Sequence, residues 1–176
     1  MGLYPLVLLA HSWLRWAVLL LALALLARTA AGWLRSRPWA RADERLQVAL
    51  VATMDVELLL GLALYLGLSP LTRAFLADPA VAMRAPALRF FGAEHVMAMV
   101  LAVAVAHAGR VASRRATTPA GRQRRACVTA LLVLVLVVAA IPWPALSYGR
   151  PLFRTASPAA ATVVAQAARQ LYYSSI

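Results

Sequence analysis

The chain has 176 residues, 63% of them hydrophobic, with a mean hydropathy of +0.75 and a net charge of +12. That apolar share, well above the roughly 45–50% of a soluble domain, places one domain in a membrane. The charge sits in short links between apolar runs, which argues against a nucleic-acid surface, and a lone cysteine, Cys127, permits neither an intrachain disulfide nor a thiolate metal cluster.

The first apolar run, about 3–27, is long enough to cross a hydrocarbon core, which takes about 20 helical residues. It lacks a basic leading segment, exceeds a signal-peptide core in length and carries Arg15, so it reads as a span. A Met-Gly start does not make a myristoylation site, because Leu6 stands where that motif needs Ser or Thr. After an arginine-rich link, 28–45, comes a second run at about 46–69. The next link is apolar but broken by Pro70, Pro79 and Pro86, and it reads as short helical turns at the interface. The third run is about 89–109, a second arginine-rich link fills 110–125, and the fourth run, about 126–143, closes at Pro142 and Pro144. Residues 1–154 thus form a transmembrane domain, and 155–176 an extramembrane tail that reads as a weakly amphipathic helix.

Single segments satisfy their backbone polar groups in lipid only as helices. The expected fold is therefore all-α, a polytopic bundle of four transmembrane helices. All basic residues are arginine, eleven in links 28–45 and 110–125 against six on the other side, so those links are expected in the cytoplasm. Both termini then lie on the outer, periplasmic side of a bacterial cytoplasmic (inner) membrane. Tyr4, Tyr65, Trp143 and Tyr148 fit the outer aromatic belt and Trp33 and Trp39 the inner one, whereas Trp13 and Trp16 fall within the first span.

Ionisable groups inside spans face the bundle interior and mark function by default. The spans carry His11, Ser12 and Arg15, then Asp55 and Glu57, then Glu94, His95 and His107. From the outer end, His11 lies ~12 Å along the first helix and His95 ~9 Å along the third, so two histidines share one depth. Arg15, at ~18 Å, matches the depth of Asp55 and Glu57 on the second helix. A lone guanidinium at mid-bilayer costs at least ~2.5–3.5 kcal/mol, and an ion pair with Asp55 or Glu57 relieves it. Those carboxylates point ~200° apart, so one of them faces Arg15 directly. The other reading of Arg15 presents it to an anionic cofactor group or a proton path.

Two histidines at equal depth on separate helices meet the requirement for axial ligation of a haem. The small residues Ala98, Ala102 and Ala106 below His95 leave room for a close helix or a flat ligand. His107 lies ~18 Å below His95, too far to share one iron, and reads as an interfacial residue near a helix C-terminus. His11, His95 and Met99, with Glu94 nearby, can alternatively hold copper, which accepts imidazole and thioether. Zinc lacks a closed set of four ligands, and Ser12 beside His11 makes no catalytic triad.

The stretches "AHSWLRW", "DVELLLGLALY" (55–65), "RFFGAEHVMAM" (89–99) and "AAIPWP…GRPLF" (139–153) resemble a family of small bacterial four-helix membrane proteins often labelled cytochrome b-like. The resemblance covers about residues 3–154 and points to His11, Arg15, Asp55, Glu94 and His95. The family pattern favours an amide where this chain has Glu57. The expected function is a small integral-membrane subunit of an electron-transfer system, with one b-type haem between His11 and His95. The rival reading is a cofactor-free accessory subunit of a larger respiratory or photosynthetic membrane complex, with the polar residues as helix glue. Transport is a further alternative, against which stands the lack of an internal repeat. The expected partners are the lipid bilayer and other membrane subunits.

Overall fold

A computed structural model describes residues 2–155, so the tail expected at 155–176 lies, all but its first residue, outside the described residues. Among the described residues every regular element is helical. Helix α1 runs Leu3–Leu34, and α2 runs Arg41–Ala63 before widening into a π-helical stretch, Leu64–Leu68. Three short helices follow: α3 (Pro70–Ala77), α4 (Pro79–Ala82) and α5 (Pro86–Arg89). A second π-helical stretch, Phe90–Glu94, leads into α6 (His95–Arg114), and α7 runs Pro119–Ala139.

The starts of these helices are written locally. Ser69 and Asp78 cap α3 and α4 by accepting from the N–H groups of Thr72 and Val81, and each is followed by a proline at the first helical position. Thr118 accepts from the Gly121 N–H (3.1 Å) ahead of α7, again with Pro119 next in the chain. At the head of α2 the Asp43 carboxylate reaches back to the Ala40 N–H (2.7 Å), the reciprocal half of a capping box. Helix α1 ends where Ser36 adopts a left-handed backbone (φ 50°), with Arg37 N–H bonded back to the Gly32 carbonyl at 2.8 Å.

Among the described residues, three helical segments are long and apolar enough to cross a membrane: Leu3–Leu34, Arg41–Leu68 and Pro86–Arg114. They match the first three expected spans, extended by the arginine-bearing turns at their ends. Helix α7 is not among them. Its first turns carry Arg122, Arg124 and Arg125, and it stops at Ala139 rather than at 143. Proline supplies no N–H, so Pro142 and Pro144 cannot bond back to carbonyls four residues earlier, and the last turn comes apart.

The described chain divides into two compact units. One comprises the described residues of Met1–Trp13, Leu59–Met97 and Ala140–Ile176, with a small core of Leu71, Ala82, Ala85 and Leu88. The other comprises Leu14–Leu58 and Ala98–Ala139, around a core that includes Val18, Leu25, Leu50, Met54, Ala102 and Val133.

Candidate functional site

In the first unit, His11 of α1 and His95 at the start of α6 come together. Their ring centres are 6.2 Å apart and their planes stand at 80°. His11 rests on α2 at Gly61, where a Cβ would lie 3.3 Å from its Cε1, so the glycine sets how closely the ring approaches.

His95 is aimed by the chain that follows α7. In a continuing helix the Ala140 carbonyl would receive the N–H of residue 144, but Pro144 has none. The His95 ring takes that carbonyl instead, its Nδ1–H donating at 2.9 Å. Because a carbonyl only accepts, Nδ1 carries a proton in this contact. The segment after Ile141 then folds on itself through Arg150 N–H to Pro142 carbonyl (3.0 Å) and Gly149 N–H to Leu146 carbonyl (2.8 Å). A Cβ at Gly149 would meet the Trp143 carbonyl oxygen at 2.3 Å, so the loop closes only with glycine there.

This fold-back stacks Tyr148 on Phe90 (centres 4.1 Å apart, planes at 19°), and both Phe90 (5.8 Å) and Phe91 (6.3 Å) border the His95 ring. The two π-helical stretches are tied together by the Tyr65 hydroxyl, which donates to the Gly92 carbonyl at 2.9 Å. Such widened turns cluster at functional positions, and this one delivers His95 one residue after its end. Arg150 lies over Phe91 at 5.2 Å, and burial holds its guanidinium below the usual arginine range, partly offset by Tyr4. Trp13 turns to the chain after α7, its Nε1–H donating to the Arg154 carbonyl (3.1 Å) beside Phe153.

The remaining sequence candidates fall elsewhere. In the second unit Glu57 acts electrostatically on Arg15, whose guanidinium also lies 5.3 Å from the Trp16 ring. Asp55 is bonded instead to His107, Oδ1 to Nε2 at 2.8 Å, so His107 belongs to an inter-helix pair rather than to a helix terminus alone. Met99 packs against the core of that second unit. Glu94, in the first unit, pairs with Arg89 at 2.6 Å.

A polar cluster in the second unit escaped the sequence reading. Asp43, fully buried, receives Arg28 (2.6 Å), Arg37 (2.8 Å) and the Gln123 amide (3.4 Å). That carboxylate, hydrogen-bonded to Arg37, holds the guanidinium above its ordinary pKa. Glu44 pairs with Arg110 (3.2 Å) and Arg122, while buried Gln47 accepts from Ser113 Oγ at 3.0 Å. The available signal was two glutamines, Gln47 and Gln123, each followed one turn later by apolar residues (Leu50 and Val51, Ala126 and Cys127). The burial of Gln123 depends on the close approach at Gly32, where a Cβ would lie 2.6 Å from Gln123 Cδ.

Two imidazoles on opposite sides of one metal, at about 2 Å per bond, have ring centres about 6 Å apart. His11 and His95, with ring centres 6.2 Å apart, are the two residues that would hold a metal group here. The donor set fits a bis-imidazole haem. Among the described residues no group of three or more His, Cys, Asp or Glu converges as a metal shell. No family model, no curated protein and no solved structure matches the chain.

Proposed function

We propose that this chain is a small subunit of an electron-transfer system in a bacterial inner membrane, holding one b-type haem between His11 and His95. The observation that carries the reading is the histidine pair, 6.2 Å between centres, with the His95 proton committed to Ala140. The haem would supply one-electron redox chemistry. His11 and His95 would hold it as neutral imidazoles, and the Ala140 carbonyl would raise the basicity of the His95 nitrogen. Phe90, Phe91 and Tyr148 would keep water from the His95 side. The likeness of the "HSWLRW" and "EH" stretches to the cytochrome b-like family points the same way.

In this reading α7 is a fourth, short crossing. The apolar part of α7 starts at Ala126, and the arginine excess in links 28–45 and 110–125 favours both termini on the periplasmic side. Partners are the bilayer and other membrane subunits. A cofactor-free accessory subunit is the second reading, favoured by the edge-to-face contact of the two rings, a packing arrangement that needs no ligand. Copper at the two histidines is a third donor assignment; Met99, the expected thioether, packs in the core of the second unit.

The deciding experiment is the dithionite-reduced minus oxidised spectrum of protein produced with ample haem, beside His11→Ala and His95→Ala. The expected result is a haem band in the parent protein that both variants lose while keeping the parent's circular dichroism. A flat spectrum from folded parent protein leaves the accessory reading in place.

A further inference from the structure

Links 28–45 and 110–125 hold eleven arginines against two carboxylates, Asp43 and Glu44. Four of those guanidiniums converge on the two acids, Arg28 and Arg37 on Asp43, Arg110 and Arg122 on Glu44. The cluster therefore keeps two positive charges beyond what its own acids neutralise. It is also short of acceptors. Among the described residues, Trp39 Nε1, Gln47 Nε2, Arg110 Nε and Arg122 Nε are buried N–H donors with no hydrogen-bond partner, against one unmet acceptor in the cluster, Gln123 Oε1.

The geometry of these donors is set by the fold. Gln47, 2% exposed, stands one turn after Asp43 and Glu44, and its Oε1 is committed to Ser113, which leaves the Nε2 donor over. Arg122 lies 4.3 Å from the centre of the Trp39 ring, so the two unmet donors of that pair are neighbours. The four arginine side chains are 26–39% exposed, so the cluster is open to its surroundings on one side. Surplus positive charge with surplus N–H donors calls for an oxyanion, which brings lone pairs and negative charge together. The cluster forms where α1 and α6 end and α2 and α7 begin, at the ends of apolar segments. The phosphate at that level of a bilayer belongs to phospholipid.

We propose that the cluster of Trp39, Gln47, Arg110 and Arg122 binds the headgroup phosphate of an anionic phospholipid. Trp39 and the two arginines donate to the phosphate oxygens, and the two positive charges that the cluster keeps beyond its own acids supply the preference for a lipid with net negative charge.

The test is native mass spectrometry of the full chain in neutral detergent, titrated separately with phosphatidylglycerol, phosphatidylcholine and inorganic phosphate. The expected result is one saturable phosphatidylglycerol adduct per chain, favoured about tenfold over phosphatidylcholine, as one charge-assisted hydrogen bond can supply. Trp39→Phe keeps the ring under Arg122 and removes one donor, so it should weaken that adduct about tenfold without disturbing the fold. Arg114→Gln with Arg124→Gln, which removes two exposed arginines outside the cluster, should leave the adduct in place. Equal binding of the two lipids overturns the proposal. So does a loss in the exposed-arginine variant as large as that in Trp39→Phe, because binding would then be diffuse surface charge. Inorganic phosphate bound without any lipid preference overturns the assignment to a headgroup.

Discussion

At Gly92 and Gly109 a single methyl group decides whether two helices can touch. A Cβ at Gly92 would lie 2.1 Å from Phe75 Cγ, and one at Gly109 would lie 2.1 Å from Thr129 Oγ1. Gly92→Ala is expected to destabilise the protein by about 1–3 kcal/mol, the range for overpacking, read as a lower thermal midpoint in detergent. Nothing within "RFFGAEH" announces this, because the partner ring is 17 positions away in sequence. Asp43 makes the complementary case. Its carboxylate is fully buried and serves two guanidiniums and a backbone N–H. Asp43→Asn keeps the shape and removes the charge, at an expected cost of about 1–3 kcal/mol, below that of a wholly buried pair because both arginines still reach water. Chemical or thermal unfolding of the variant checks it, and an unchanged midpoint would mean the arginines are indifferent to Asp43.

Among the elements, the helix starts were legible as Ser-Pro, Asp-Pro and Thr-Pro pairs, since caps and fixed proline dihedrals act within one turn. The end of α7 was legible only in part. Pro142 and Pro144 foretold a stop, but the helix comes apart at Ala140 and gives that carbonyl to His95. Pro144→Ala restores an N–H that can compete for the Ala140 carbonyl. The expected outcome is a longer α7 and a loosened His95 ring, with about 1 kcal/mol lost from the His95 hydrogen bond. Nitrogen-15 histidine spectra read it directly, as a His95 Nδ1 that no longer holds its proton in place. The two π-helical stretches had no sequence signal. They are joined by Tyr65 to Gly92, a contact between segments 27 positions apart.

For the molecule as a whole, the side on which α7 delivers the chain distinguishes four crossings from three. Single cysteines at Ser36, Ala80, Thr117 and Thr155, each in a Cys127→Ala background, report this through an impermeant maleimide. Four crossings predict that positions 80 and 155 label from the periplasm and 36 and 117 only after the membrane is opened. Labelling of 155 together with 117 would reduce the count to the three crossings that length and hydropathy alone support.

By itself the sequence determined the material of this protein: apolar runs of membrane-crossing length, their helical state and the arginine-rich links between them. Those properties follow from composition and from spacing within a turn or two, where hydration and local sterics act. It also placed His11 and His95 at similar distances from the expected outer ends of their helices, because helical rise converts position into distance. Which acid meets Arg15, which carbonyl meets His95, and which glutamines are buried were decided by tertiary structure. Each of those pairings is set by rotation about a helix axis and by the distance between axes. Glycine contacts such as Gly32–Gln123 and Gly92–Phe75 fix those two quantities, and they exist only once the helices are packed.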